Sequence, residues 1–199
     1  MRNTLLATTL VVVALTIATP PAFAQDGDAF EGPWVAATAG YDTFNGDGSE
    51  SADGIVYGIV LGYDFSLGGL FLGVEAELGK SSVSASGSDV LVTGDELSFN
   101  VGRDIYAGIR VGVPVSETVL AYGKAGYTNQ RISATYTLDD IIETASDNIG
   151  GYRLGAGVEF DLGEPFARIE YRYSDYGSFS DTDLETSRHQ VMLTAGLRF

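Results

Sequence analysis

The residues able to do chemistry are few and far apart. His189 is the only histidine in a chain of 199 residues that has no cysteine. Ser187 lies two positions before it, on the same face if this stretch is extended. A serine beside a histidine can supply an activated hydroxyl nucleophile, provided a third group orients the imidazole. The spacing assigns no acid to that third role, so His189 reads as a histidine at the outer rim of a strand. Three acidic clusters, Asp47/Glu50/Asp53, Asp139/Asp140/Glu143 and Asp181/Asp183/Glu185, offer oxygens to Ca²⁺. None has the ligand spacing of a dedicated calcium loop, and they read as a solvated acidic rim. Gly155-x-Gly157 lacks the third glycine of a dinucleotide fingerprint and leads into strand residues rather than a helix. Without cysteine there is no disulfide framework, thiolate metal site or cysteine nucleophile. No catalytic, cofactor or metal site is expected.

The remaining charges must therefore be explained by where the chain lives. There are 27 acidic and 11 basic side chains, a formal net charge of −16, which argues against nucleic acid as a partner. With 45% hydrophobic residues and 26 glycines the chain is too apolar to be a disordered polyanion. The first segment is an address. Arg2 precedes an apolar run from Leu5 to Ala18, Pro20-Pro21 ends it, and Ala22-Phe23-Ala24 places small residues for cleavage before Gln25. Residues 1–24 are expected to be a cleaved signal peptide, followed by a short N-terminal segment (25–31) and one domain (32–199).

Within that domain apolar residues recur with period two, the pattern of strands with two unlike faces. Ile55, Tyr57, Ile59, Leu61, Tyr63 and Phe65 alternate with Gly54, Val56, Gly58, Val60, Gly62 and Asp64. The same alternation returns over 70–79, 104–113, 152–161, 166–173 and 190–199, with weaker runs at 34–42 and 119–128. That makes eight strands. Short connections at 66–69, 114–118 and 163–165 alternate with long, polar ones at 43–53, 80–96, 129–147 and 174–188. Such a meander closes into a barrel with one tight rim and one loopy rim, as in outer-membrane barrels.

A soluble barrel of the lipocalin kind is also an up-and-down meander, but it would turn the apolar face inward and the charged face to water. Here the small-or-polar face is rich in glycine and carries both signs of charge. Glu75, Glu77, Glu159 and Glu170 share it with Arg110, Lys124, Arg153, Arg168, Arg172 and Arg198. That mixture suits a crowded interior, and aromatics near the ends of the other face suit interfacial girdles. The expected fold is all-β, an eight-stranded antiparallel up-and-down transmembrane β-barrel, with those ten residues as a lumen ion-pair network.

Several segments resemble the small outer-membrane β-barrel family of OmpA/OmpX-like and "porin family" proteins of Gram-negative bacteria. They are Phe71-Leu72-Gly73-Val74-Glu75-Ala76-Glu77, Tyr122-Gly123-Lys124-Ala125-Gly126, Gly155–Phe160, Ile169-Glu170-Tyr171-Arg172-Tyr173 and the ending Gly196-Leu197-Arg198-Phe199. The resemblance implies an outer-membrane location, and it implies that Phe199 is the signal read by the barrel-assembly machinery. No segment resembling the periplasmic peptidoglycan-binding domain of full-length OmpA proteins follows Phe199, so a cell-wall tether is not expected.

An eight-stranded barrel is just wide enough inside for side chains to fill it, whereas open channels need about 16 strands. The expected function is a structural and surface-interaction barrel contributing to envelope integrity, and a monomer is expected. Two alternatives stay open at this point, a narrow passive pore and, more remotely, a barrel enzyme that modifies lipid A. Lys80, Arg103 and Arg131 keep the outward parity of their strands near the loopy rim. They are candidate contacts for lipopolysaccharide, with pairing to Asp95, Glu96 or Asp104 as the competing arrangement.

Overall fold

A strand exposed to lipid has no water to satisfy its backbone, so the sheet that contains it must close on itself. The computed structural model describes residues 29–45, 52–89, 92–138, 141–176 and 186–199. It contains β1 (Gly32–Asn45), β2 (Ala52–Ser66), β3 (Phe71–Ser81), β4 (Ser84–Ser88), β5 (Asp95–Ser116), β6 (Val119–Leu138), β7 (Ile141–Asp161), β8 (Pro165–Tyr176) and β9 (Thr186–Arg198). Sequential strands pair antiparallel, β1 pairs with β9, and β3 pairs with β5 to complete the ring. Short β4 continues the line of β3 along β5, so the ring is an eight-stranded barrel.

Alternation decides the two faces. Burial along β3 switches at every residue, with Glu75 and Glu77 inside and Leu72, Val74 and Leu78 outside. The outer wall exposes an apolar belt that includes Ile59, Leu61, Ile109, Ile169 and Leu193. Exposed tyrosines border it on the loop side, among them Tyr41, Tyr57, Tyr127 and Tyr152. The tight rim is made by 67–70, where Gly68 and Gly69 take φ of 64° and 100°, by Glu117-Thr118, and by 162–164 around Gly163. Glycine adopts such left-handed angles without steric cost.

Phe30, in the short segment that precedes the barrel strands, belongs to the interior. It is buried against Phe71 and Leu120 at the tight rim, with the Phe30 and Phe71 ring centres 5.6 Å apart. Trp34, Ala36, Val60 and Phe166 form a second apolar cluster inside the barrel. At the opposite mouth Val83, Ile149 and Tyr176 pack together with Val101 and Ile132.

Of the segments expected as long loops, 80–96 and 129–147 are largely strand. β5, β6 and β7 run 22, 20 and 21 residues, well beyond the roughly 9–11 that cross a bilayer. Their outer halves form a sheet with β4 that projects past the barrel mouth. Its hydroxyls pair across strands, Ser133 with Ser146 at 2.9 Å and Thr135 with Thr144 at 3.2 Å. The β6 arm does alternate, with Ile132, Ala134, Tyr136 and Leu138 against Ser133, Thr135 and Thr137, but the β7 arm is mixed and the stretch between them acidic, so the segment as a whole has the composition of a polar loop.

Candidate functional site: an ion-filled lumen and an outer cationic patch

The inward faces converge in three tiers. Nearest the tight rim, Glu159 accepts from Arg110 (2.9 Å), Arg168 (2.6 Å) and Arg198 (2.7 Å). Asp64 takes Arg110 at 2.8 Å and Arg198 at 2.9 Å. Arg198 also donates to the Phe30 carbonyl at 2.7 Å, tying the entering chain to the final strand. The Arg168 guanidinium lies 4.0 Å from the Trp34 ring centre, a close cation–π contact.

In the middle tier Lys124 Nζ bridges Glu75 (2.6 Å) and Glu170 (2.9 Å). Glu170 also accepts from the Tyr122 hydroxyl at 2.6 Å and from Arg172 Nε, while Arg172 reaches Glu77 at 2.7 Å. The outer tier centres on Arg188, which donates to both carboxylate oxygens of Asp42 (2.7 and 2.6 Å), to Asp104 (2.6 Å) and to Gln130 Oε1 (2.6 Å). Arg153 joins Asp104 from the other side, and Ser174 accepts from it at 2.9 Å.

All ten residues expected in the lumen point into it, and each has an ion-pair partner there. Asp42, Asp64, Asp104 and Arg188 complete the set beyond those ten. Arg188 falls at the end of a connection (174–188) in the sequence pattern, yet it shares even parity with Gln190 and Thr194, the one signal of its place in the lumen. Asp104, weighed as a counter-ion for the outer cations, faces inward and is taken by Arg153 and Arg188. Within the ring the buried charges now balance, with seven carboxylates (42, 64, 75, 77, 104, 159 and 170) and seven cations (110, 124, 153, 168, 172, 188 and 198). Buried charge is tolerated when it is both paired and hydrogen-bonded.

His189 does not meet Ser187. Its Nδ1 lies 2.6 Å from the Tyr171 hydroxyl, and the Tyr173 ring centre is 5.2 Å away, which makes it part of an aromatic group on the outer wall. The acidic clusters lie mostly outside the described residues, as does the expected signal peptide; Asp53 and Glu143 alone of the cluster acids are described. On the projecting sheet the Tyr136 hydroxyl is pushed up in pKa by desolvation and by the nearby carboxylates of Asp95 and Glu143. No group of three or more metal-ligating side chains occurs among the described residues.

Lys80, Arg103 and Arg131 are brought together on the outside. Lys80 stands directly opposite Arg103 in the β3–β5 pairing. Arg131 lies on β6 between Gln130 and Ile132, whose partners Asp104 and Val101 flank Gly102 and Arg103. All three are exposed and none forms an ion pair among the described residues. Phe199 closes the seam between the first and last strands, its N–H donating to the Pro33 carbonyl at 2.9 Å.

A family model of the outer membrane protein beta-barrel domain matches residues 9–199. A 22 kDa outer membrane protein of Rhizobium leguminosarum bv. viciae is 33% identical over 172 residues, covering 80% of this chain and 75% of that protein. Among solved structures, Neisserial surface protein A superposes with a TM-score of 0.59 at 16% identity, over 84% of this chain and 97% of that one. Ail, the attachment invasion locus protein of Yersinia pestis, gives 0.51 at 18% identity, over 85% and 99%. At such identities the structural likeness speaks to the fold.

Proposed function

The chain belongs to the outer-membrane β-barrel protein family of Gram-negative bacteria, and on that premise we propose that it is a sealed structural and surface-interaction barrel contributing to envelope integrity rather than a channel. The charge-balanced filling of the lumen carries this reading. Fourteen buried ionic side chains in three tiers occupy the space an ion would need, and apolar groups close both ends, Phe30 with Phe71 and Leu120 at one mouth and Val83 with Ile149 and Tyr176 at the other. The projecting sheet supports the second half of the reading. It presents hydroxyls and the exposed Phe99, Ile141 and Ile142 to the medium beyond the membrane. A catalytic role is not part of the proposal, since His189 is engaged by Tyr171 and, among the described residues, is bonded to neither a serine nor an acid.

Planar-bilayer recording on refolded mature protein tests the sealed lumen. The expected trace shows no stable open level of general-porin size, and a stable one overturns the reading. A narrow ion path is the second reading. It draws on buried polar atoms that make no hydrogen bond, among them Tyr106 Oη, Glu77 Oε2 and Arg153 Nη1, where water would enter. Small, long-lived conductance that falls when Glu77 is replaced by glutamine is the result that favours it. For assembly, deletion of Phe199 is expected to leave secreted but uninserted chains; heat-modifiable protein at ordinary levels in outer-membrane fractions contradicts that role.

A further inference from the structure

Seven of the mature chain's cations are used inside the barrel, and the three that remain gather at one spot on an otherwise acidic exterior. Like charges set directly opposite one another on a sheet are destabilising, yet Lys80 faces Arg103, and among the described residues neither has a carboxylate partner. The acid nearest in sequence, Asp104, is held inside by Arg153 and Arg188. The patch stands at a defined height. Leu78 and Ile105, one outward step toward the membrane on the same two strands, belong to the apolar belt, and Lys80 is level with the girdle residue Tyr57.

The backbone is shaped to expose this patch. Between Val101 and Asp104 the β5–β6 register shifts, the mark of a bulge that re-aims a side chain. It lets Val101 pack inward beside Val83 while Arg103 points out, although strict alternation would put both on one face. The displaced carbonyls are not left to solvent. The amide of Gln130, which is fully buried, donates to the carbonyls of Arg103 (2.9 Å), Gly102 (3.2 Å) and Arg131 (3.3 Å). Its other end accepts from Arg188, so the bulge is braced from the lumen. Outside, Arg103 Nη2 donates to Asn148 (3.1 Å) and Asn129 (3.3 Å), two neutral side chains that orient the guanidinium without neutralising it.

We propose that Lys80, Arg103 and Arg131 form a binding site for the phosphate groups of lipid A at the outer edge of the membrane, with Gln130 as its positioning residue. Three adjacent strands span about 10 Å, a width that suits a phosphorylated headgroup lying along the wall. Arginine's forked donors match phosphate oxygens. The bulk exterior is acidic and repels free anions, so a phosphate delivered from within the bilayer plane is the favoured occupant.

The test uses refolded mature protein in phosphatidylcholine vesicles doped with bis-phosphorylated lipid A, with the same lipid A after dephosphorylation, or with neither, the last arm also receiving inorganic phosphate. Thermal unfolding is read from heat-modifiable mobility. Phosphorylated lipid A is expected to raise the midpoint and the other conditions to leave it unchanged. The combined Lys80→Gln, Arg103→Gln, Arg131→Gln variant should need about a hundredfold more lipid A for half-maximal protection, the sum of three basic side chains at an anionic lipid surface. Gln130→Leu should weaken protection as much as Arg103→Gln alone, and combining the two should add nothing. Equal stability of native and triple-variant protein in lipid A, or protection by inorganic phosphate of the same size, overturns the proposal. A loss of equal size in all vesicles also overturns it, because the residues then act through the protein.

Discussion

Two sets of basic side chains occupy opposite faces of the same strands. β5 carries Arg110 inside and Arg103 outside; β6 carries Lys124 inside and Arg131 outside. Inside, every cation is matched by carboxylates of the same chain, and each pair is shielded from water. Outside, the cations meet neutral asparagines and one another. The difference shows that charge neutrality is enforced by the protein only where no other source of counter-ions exists. In the lumen an unmatched charge would cost several kcal/mol of desolvation, whereas at the membrane surface water, salt and lipid headgroups can supply what the sequence omits.

The largest test of this contrast is Arg188→Met. It leaves Asp42 buried without its bidentate partner and is expected to cost about 3–5 kcal/mol, read as a lowered midpoint in urea unfolding. Adding Asp42→Asn removes the stranded charge and should recover a substantial part of the loss. If the single and double variants are equally unstable, charge matching is not what the lumen requires. A smaller effect, about 1–3 kcal/mol, is expected from Gly73→Ala, because a new methyl would overlap Asp64 Oδ1 and press on Arg110 Cγ. Gly123, on the outer face with its nearest neighbour 3.8 Å from an added Cβ, is the control and should accept alanine without measurable change. The smallest effect belongs to Arg131→Gln in plain phosphatidylcholine, where the melting midpoint should stay where it was; a clear drop would give the outer cations a structural duty like that of the inner ones.

The barrel and its filling were legible because lipid and lumen impose opposite demands on alternate residues, as in the run from Ile55 to Phe65. Legibility failed where that contrast ends. In the hairpin of β6 and β7 beyond Asn129 the alternation survives only on one arm, Ile132, Ala134, Tyr136 and Leu138 against Ser133, Thr135 and Thr137, while the other arm mixes acids and hydroxyls, so the stretch resembles a loop in composition. Arg188 was lost for the same reason, since the extension of β9 was not visible from Ser187 and His189. The bulge at Gly102-Arg103 is a further case. Its signature lies in a change of register between strands, which a one-dimensional period cannot display, and the buried Gln130 that braces it resembles any polar residue near a turn.

The interior bonds that cross the seam between the first and last strands bear on how the barrel comes into being. Arg188 reaches Asp42 across 146 positions, Thr194 reaches Thr38 across 156, and Arg198 reaches the Phe30 carbonyl across 168. None of these contacts can form while the ends of the sheet are apart. Closure of so long a loop costs only slightly more entropy than closure of one half its length, and it is rewarded by all of these bonds together. An open sheet therefore holds half-satisfied charges at this seam, and the ionic filling of the lumen is complete only once β1 has joined β9.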